Sequence, residues 1–376
     1  MKIIIAVDKF KGCATQEQLS SVIAHTIRCH MPQAQVVQVP VADGGDGTMQ
    51  VIARLLKGRV EERHIEVPAP LRNLPPVDAV YLLDNDSATA YMDLATASGL
   101  ALVPIGERDV MHASTLGTGL MISDAIDHGA RHIVLGLGGS ATCDGGMGVL
   151  AALGCEFLDK DLHQLYPCGK NLLSVEHVDI QALKTKDVRF TLLADVDNPL
   201  YGNRGAARIY APQKGASPNQ VEALDDGLEH FAGFMPTGMA QKPGAGAAGG
   251  VAGGMMAFLD ARIMPGVDAL LELMHFDGIL DGAQLVITGE GRIDEQTGMG
   301  KAPAGVLRAA KRNGVPVVAL CGSVASGVDA AVLGFSKIIP VTPSDMPLAQ
   351  AMETATALKN VEIAVATLID ELIKES

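Results

Sequence analysis

Residues 3–8 are Ile3-Ile4-Ile5-Ala6-Val7-Asp8, an unbroken apolar run that ends at an acidic residue. A second run of this kind, Leu285–Thr288, lies near the other end of the chain and leads into Gly289-Glu290. Runs that are apolar on both faces are typical of parallel strands covered by helices on both sides. The sequence therefore predicts an α/β protein whose buried strands come from both ends of the chain.

Helical patterns alternate with short apolar runs most regularly near the two termini. The middle is less regular, and Asn85-Asp86-Ser87 between two apolar runs indicates an antiparallel hairpin. The charged, proline-rich stretch Val67–Pro76 is a candidate seam between domains. We expect a doubly wound parallel-sheet domain built from residues 1–69 plus 284–376, with a second α/β domain inserted at residues 70–283.

Composition excludes several classes of protein. The net charge of −14 without a long basic stretch argues against binding to nucleic acid. Six cysteines without a C-x-x-C pair indicate reduced thiols and no structural zinc. The apolar start is too short for a signal peptide, and no run is long enough to cross a membrane. The expected location is the cytoplasm, and a homodimer is compatible with the sequence.

Glycine is concentrated in a few places. Half of the 42 glycines lie in the windows 43–47, 117–119, 136–148, 244–254 and 289–300. Glycine lets successive backbone N–H groups converge on an anion, so these windows are candidate phosphate-binding loops. The simpler explanation, that turns of any α/β protein contain glycine, is weakened because most windows also contain or adjoin charged residues.

Acidic residues follow several predicted strands, at the edge where open α/β sheets bind ligands. Carboxylates there can bind Mg²⁺ or deprotonate a hydroxyl, although each could also cap a helix. The candidates are Asp43, Asp46, Asp144, Asp195, Glu290 and Asp294. Cations near the same strand ends could bind phosphate or a substrate carboxylate; these are Lys9, Lys11, Arg208, Lys214, Arg292 and Lys301.

Two other functions are open at this point. Gly136-x-Gly138-x-x-Ala141 follows a predicted strand and fits the dinucleotide fingerprint of an NAD-dependent dehydrogenase. Against it, Asp144 places a carboxylate where a pyrophosphate would lie. A nucleotide-binding regulator without catalysis would use the same glycine loops.

Seven segments, in this order and spacing, resemble the bacterial glycerate kinase family of the glycerate 2-kinase type. They are Ala6–Gly12, Val41–Thr48, Ala97–Leu100, Gly138–Gly146, Pro212–Ala216, Pro243–Gly250 and Val286–Asp294. The resemblance extends from the first strand to about residue 340. Asp46 and Asp93 stand where the family usually has Glu, which keeps the charge. Cys143 and Leu120 stand where the family usually has Asn and Glu, which puts any role of those two positions in doubt.

The resemblance implies transfer of a phosphoryl group from ATP to D-glycerate, giving 2-phosphoglycerate, with Mg²⁺. It also implies a flavodoxin-like domain made from both chain ends, an inserted domain, and an active site in the cleft between them. Phosphorylation at the C3 hydroxyl is the alternative, because a small rotation of the substrate exchanges the two hydroxyls.

Residue roles are assigned on this basis as hypotheses. Asp195 is the first choice for the residue that orients or deprotonates the glycerate hydroxyl, and Asp294 is the second. Lys11 is grouped with these catalytic residues and is expected, with Arg292, to hold the substrate carboxylate or phosphate. Asp43, Asp46 and Glu290 are expected to bind the metal. The residues expected to bind substrate or phosphate are Asp8, Lys9, Gly44, Gly45, Gly138, Gly139, Ser140, Lys214, Gly289, Gly291 and Arg292.

Overall fold

The computed structural model describes residues 1–10, 12–41, 48–294 and 302–375. Its strands are β1 (Lys2–Val7), β2 (Gln35–Gln38), β3 (Val60–Val67), β4 (Val77–Asp84), β5 (Thr89–Asp93), β6 (His132–Gly136), β7 (Glu156–Leu158), β8 (His177–Asp179), β9 (Arg189–Leu193), β10 (Arg262–Met264), β11 (Leu285–Ile293), β12 (Val317–Val324) and β13 (Lys337–Pro340).

The α-helices are α1 (Gln16–His30), α2 (Thr48–Leu55), α3 (Ala95–Ser98), α4 (Leu116–Asp127), α5 (Met147–Ala152), α6 (Ala206–Tyr210), α7 (Pro218–Ala232), α8 (Ala247–Phe258), α9 (Gly266–Leu273), α10 (Phe276–Leu280), α11 (Ala302–Arg312), α12 (Ala330–Leu333), α13 (Leu348–Ala351) and α14 (Thr354–Glu375). Short 3-10 helices cover Leu100–Leu102, Ile105–Glu107, Gly169–Ser174, Pro212–Lys214 and Met239–Gln241.

The chain divides into two compact units. The terminal unit is Met1–Asp43 with Pro265–Ser376, and the inserted unit is Gly44–Met264. In the terminal unit, all strand pairs of the sheet β13-β12-β11-β1-β2 are parallel. When the strands are renumbered along this unit alone and read across the sheet from β2 to β13, their order is 2-1-3-4-5, which is the flavodoxin order. The expectation of a doubly wound, flavodoxin-like α/β fold is confirmed.

Both faces of β1 are buried, and alternate residues supply the two faces. Ile3, Ile5 and Val7 pack with residues of α1 and α14. Ile4 and Ala6 pack on the opposite face, with residues of α9, α10 and α11. The continuous apolar run in the sequence is therefore explained, because a strand in the middle of a helix-covered sheet has no solvent-facing side.

The inserted unit has a mixed sheet in the order β10-β9-β6-β5-β4-β3. Strands β5, β6, β9 and β10 are parallel to one another, whereas β3, β4 and β5 form an antiparallel meander. The predicted hairpin is present: the Asp84 carboxylate accepts hydrogen bonds from the backbone N–H groups of Asp86 and Ser87 in its turn. Strands β7 and β8 pair separately as a two-stranded antiparallel sheet.

The structural division differs from the predicted boundaries at 69/70 and 283/284. Strand β3 pairs with β4 along its whole length, from Val60 opposite Asp84 to Val67 opposite Val77, so residues 60–67 belong to the inserted unit. At the other boundary, Val267 of α9 and Phe276 of α10 are part of the core of the terminal unit. The segment Val67–Pro76 that suggested a seam joins two neighbouring strands instead.

All six cysteines are free thiols, as expected. Within the described residues, no helix has the length and apolar character needed to cross a bilayer.

Two helical glycines of the terminal unit make a matched test of this packing. A Cβ at Gly305 of α11 would lie 2.5 Å from Cγ1 of Val267, whereas a Cβ at Gly278 of α10 meets nothing within 4 Å. We expect Gly305→Ala to lower the free energy of unfolding by about 1–3 kcal/mol through overpacking. Gly278→Ala should leave it unchanged or raise it by up to about 1 kcal/mol, because alanine favours the helix.

Urea unfolding followed by far-ultraviolet circular dichroism measures both variants. Equal effects at the two positions would contradict the close approach of α9 to α11.

Candidate functional site

Strands β1 and β11 are neighbours at the point where the strand order of the terminal unit reverses. Open α/β sheets bind ligands beyond the carboxyl ends of the strands at such a point. The backbone N–H of Asp8 donates to the carbonyl oxygen of Gly289 at 2.9 Å, which continues the β1–β11 ladder by one residue. Asp8 and Glu290 are therefore the residues that come directly after the last paired residues of the two strands, Val7 and Gly289.

A cavity of about 530 Å³ lies at this edge of the terminal unit. Its lining includes six of the residues predicted from the sequence: Asp8, Lys9, Glu290, Gly291, Arg292 and Asp294. Because β11 continues past the end of β1, Glu290 and Arg292 alternate along its last residues and share one face, and Asp294 directly follows the strand. The spacing Gly-Glu-Gly-Arg-Ile-Asp in the sequence was the signal for this arrangement.

Gly289 has a different place from the one predicted. It is buried, and it does not line the cavity. A Cβ at this position would lie 2.2 Å from the carbonyl oxygen of Leu320 on β12. Gly289 is therefore needed for the close approach of the two strands, and its expected contact with phosphate stays a prediction.

The carboxylates of the cavity suit a magnesium ion. Asp8, Glu290 and Asp294 offer oxygen ligands, and Mg²⁺ at phosphate sites usually takes only one or two from the protein. Among the described residues, Asp159, Asp161 and His163 are the group of three whose ligand atoms lie within 4.8 Å of one another. The cavity carboxylates do not converge in that way, so phosphate oxygens and waters would have to complete the coordination.

Six of the candidate site residues cannot be placed. Those that lie outside the described residues are Lys11, Asp43, Gly44, Gly45, Asp46 and Lys301.

Cys321 is the last residue of the buried part of β12 and pairs with Glu290 across the ladder. Burial raises the pKa of the Cys321 thiol to about 12, and the negative charge of Glu290 adds to the rise. A thiol with this pKa is almost entirely protonated at neutral pH. Cys321 is therefore a packing residue and not a nucleophile.

The inserted unit also has parallel strands whose carboxyl ends form an edge of the kind at which open α/β sheets bind ligands. Its four parallel strands end together, which places Asp93 at the end of β5, Gly138 and Gly139 just after β6, and Asp195 just after β9. Asp195 is partly buried. From the sequence, Asp93 was noted as a departure from the family's usual Glu but was given no role. Its carboxylate lies so close to Gly136 that a Cβ there would be 2.3 Å from Oδ1. Its position as the last residue of a strand was the available signal.

Lys214 and Ser140, predicted to bind phosphate, are in contact. The Lys214 ammonium donates to Oγ of Ser140 and to the carbonyl oxygen of Thr142, both at 2.7 Å. Lys214 is only 3% exposed, and burial lowers the pKa of its ammonium from 10.5 to about 8. Lys214 therefore holds the loop after β6 in place, and direct contact with phosphate stays a prediction for both residues.

Asp144 is fully buried and organises the next part of the same loop. Its Oδ2 accepts from the backbone N–H and the hydroxyl of Thr115, both at 2.8 Å, and from the N–H of Gly148 at 3.3 Å. Its Oδ1 accepts from the N–H of Gly146. Burial raises the pKa of Asp144 and these hydrogen bonds oppose the rise. These contacts support the interpretation that Asp144 caps the start of α5.

The dinucleotide fingerprint at Gly136–Ala141 lacks its structural context. Helix α5 begins only at Met147, and the Asp144 carboxylate already accepts the N–H groups at its start. The next strand, β7, pairs antiparallel with β8 and does not join β6 in a parallel βαβ unit. The dehydrogenase interpretation is therefore wrong on geometric grounds.

A family model described as "Glycerate kinase family" matches residues 3–371. The chain belongs to the glycerate kinase family. It is 40% identical to a glycerate kinase of Halalkalibacterium halodurans over 363 residues, which cover 95% of this chain and 94% of that relative. It is 39% identical to the glycerate 2-kinase of Escherichia coli over 334 residues, 87% of each chain.

A solved structure shows the same fold. A crystal structure described as a glycerate kinase 2 from Salmonella typhimurium LT2 superposes with a TM-score of 0.82 at 34% identity, covering 100% of this chain and 99% of that one. The family resemblance read from the sequence and the expectation of a phosphotransferase are confirmed. The two departures that remove a polar group pack as apolar residues: Cys143 belongs to the core of the inserted unit, and Leu120 packs against that core.

The buried ammonium of Lys214 makes stability depend on pH. Below pH 8 the ammonium is charged in both the folded and the unfolded chain. Its burial then lowers the free energy of unfolding by the same amount at every pH. Between the folded pKa of about 8 and the unfolded value of 10.5, the folded chain releases the proton and the unfolded chain keeps it, so stability rises with pH. Lys214→Met removes this effect.

We therefore expect the free energy of unfolding of the natural chain, relative to Lys214→Met, to increase above pH 8 by up to about 1.4 kcal/mol per pH unit. Urea unfolding at several pH values between 7 and 10 measures the difference. Lys242→Met, at an exposed lysine, is the control and should follow the natural chain. A difference that is the same at every pH would contradict the burial of a charged Lys214.

Proposed function

We propose that this enzyme transfers the γ-phosphoryl group of ATP to the C2 hydroxyl of D-glycerate, giving 2-phosphoglycerate and ADP. The observation that carries the proposal is the cavity of the terminal unit, where two cations and three carboxylates line the switch point of a flavodoxin-like sheet. A relative that is 39% identical is named a glycerate 2-kinase, which favours C2 over C3.

Phosphoryl transfer needs positioning and neutralisation of charge more than covalent chemistry. Lys9 and Arg292 supply positive charge at the cavity, and we assign them to the phosphate groups. Arg292 can bind two phosphate oxygens at once through its planar guanidinium. Lys11 is assigned a supporting role in neutralising the transferred group.

We assign Glu290, with Asp43 and Asp46, to the magnesium ion. When bound, Mg²⁺ supplies neutralisation of the charge on the phosphate oxygens. Asp8 is less available for this role, because it is mostly buried and its Oδ1 accepts from the backbone N–H of Lys9 at 2.7 Å. That hydrogen bond fixes the start of the segment that presents Lys9.

Asp195 is proposed to accept the proton of the glycerate hydroxyl, and Asp294 is the second choice. The segment that follows Asp195 is held from several sides. Asn198 accepts from the Tyr210 hydroxyl at 2.6 Å and donates to the carbonyl oxygen of Arg204 at 2.8 Å. Its own carbonyl oxygen accepts from the N–H of Gly246 at 2.9 Å. A general base must be held still to meet its proton, and this bracing supports the assignment.

The turnover experiment is direct. The protein is mixed with ATP, magnesium and D-glycerate, and ADP release is followed by a coupled assay. A kinase of glycerate releases ADP only when D-glycerate is present, whereas a nucleotide-binding regulator does not turn over. Failure to release ADP with D-glycerate would overturn the proposed function.

Asp195→Asn should lower kcat by about 10²- to 10⁴-fold, because it removes the proton acceptor but preserves the shape of the side chain. Asp197→Asn is the matched control two residues further on, where the carboxylate is 64% exposed and pairs with Arg204 at the surface. It should keep kcat within about threefold, since exposed ion pairs contribute little. A kcat for Asp195→Asn that is close to that of the control would move the assignment to Asp294.

The product itself distinguishes C2 from C3 transfer. A phosphate on C2 is bonded to a carbon with one hydrogen and should give a doublet in the proton-coupled ³¹P spectrum. A phosphate on C3 is bonded to a CH₂ group and should give a triplet. We expect the doublet, and a triplet would show that the enzyme is a glycerate 3-kinase.

A further inference from the structure

The cavity of the terminal unit has two chemically different parts. Its charged part comes from the ends of β1 and β11, as described above. Its apolar part comes from the segment after β1 and from the region around α13, and its main side chains are Phe10, Cys13, Met346, Leu348, Ala351 and Met352. D-glycerate has a carboxylate, two hydroxyls and three carbons, so it has no group that an apolar wall of this size would recognise.

Two side chains of the apolar part are unusually exposed. Leu348 is 76% exposed and Met352 is 41% exposed, although both are large and apolar. A single exposed apolar residue is common on protein surfaces. Two that line the same cavity as Phe10 give it apolar surface that a ligand could cover.

The apolar part is braced before any ligand binds. The hydroxyl of Thr354, the first residue of α14, donates to the carbonyl oxygen of Cys13 at 2.6 Å. The Cys13 thiol donates to the carbonyl oxygen of Ala351 at 3.6 Å. Phe10 and Ala14 exchange backbone hydrogen bonds at 2.9 and 3.0 Å. These contacts tie the segment after β1 to α13 and α14, so the wall is largely preformed, as is typical of small-molecule sites.

We infer that this apolar part binds the adenine base of the nucleotide, with the phosphates directed toward Lys9 and Arg292, and that the cavity is the nucleotide site and not the glycerate site. The inference rests on the proposed function for the identity of the nucleotide. A volume of about 530 Å³ fits a ligand of nucleotide size and is far larger than a three-carbon acid requires. Methionine side chains adapt to a flat ring and make favourable sulfur–aromatic contacts, which suits Met346 and Met352.

The assignment separates the two substrates. The terminal unit supplies the nucleotide site, and the carboxylate of D-glycerate must be recognised by other groups. Substitutions of the apolar wall should therefore change the affinity for nucleotide without changing that for D-glycerate.

Leu348→Asn tests the assignment with a neutral substitution, so that no new charge acts on the phosphates. We expect the Kd for ADP with magnesium, measured by isothermal titration calorimetry, to rise about tenfold or more, as for the loss of one apolar contact in a pocket. Val332→Asn is the matched control, because Val332 is 83% exposed in the same unit and does not line the cavity. It should leave the Kd for ADP unchanged, and both variants should unfold at the same urea concentration as the natural chain.

A second probe distinguishes the base from the phosphates. Inorganic tripolyphosphate with magnesium should bind the natural chain and Leu348→Asn equally, because it has no base. Arg292→Gln should weaken the binding of both ADP and tripolyphosphate. An unchanged Kd for ADP in Leu348→Asn, or a rise in the KM for D-glycerate instead, would overturn the inference.

The outcomes separate this inference from the proposed function. If the natural chain does not release ADP with D-glycerate, but Leu348→Asn loses affinity for ADP, the proposed activity fails and the nucleotide site stands. If turnover with D-glycerate is normal and Leu348→Asn binds ADP like the natural chain, the activity stands and the site assignment fails.

Discussion

The parallel pairing of β1 with β11 is the constraint on which the terminal unit depends. It aligns Ile3 with Leu285 and Val7 with Gly289, and the hydroxyl of Thr288 adds a hydrogen bond to the carbonyl oxygen of Ala6 at 2.7 Å. The two strands are separated by most of the chain, so closing this pair is costly in chain entropy. Burial of both faces of β1 under α1, α14 and α11 provides the compensating stabilisation. The same pairing places Asp8 beside Gly289 and thereby creates the switch point.

The two units use charge in different ways. In the terminal unit the charged groups line a cavity, because β11 continues past the end of β1 and places Glu290 and Arg292 on one face. In the inserted unit two buried charges stabilise the loop after β6: Asp144, which lies in this loop, accepts from Thr115, and Lys214 donates to Ser140 of the loop. Buried charges of this kind are tolerated when every donor and acceptor finds a partner, and they hold a loop in one conformation.

Much of the architecture could be predicted from local sequence. The apolar runs at residues 3–7 and 285–288 predicted β1 and β11, and the hairpin of β4 and β5 followed from its turn. The domain boundaries could not be predicted from local sequence. Strand β3 has the alternating, charged sequence of a strand with one exposed face, and it was not distinguished from a linker. The sequence pattern of β3 alone does not show that it pairs with β4.

The sequence by itself determined the fold class, the doubly wound plan built from both chain ends, the family, and the group of residues from Asp8 to Asp294 that meets at one cavity. These follow from periodicity and from motif spacing, which are local properties. The tertiary structure decided which charges face a ligand and which are buried: Glu290 and Arg292 line the cavity, whereas Lys214 and Asp144 hold a loop and Gly289 spaces two strands. Whether a residue is buried depends on what packs against it from distant parts of the chain, and a sequence motif does not show this.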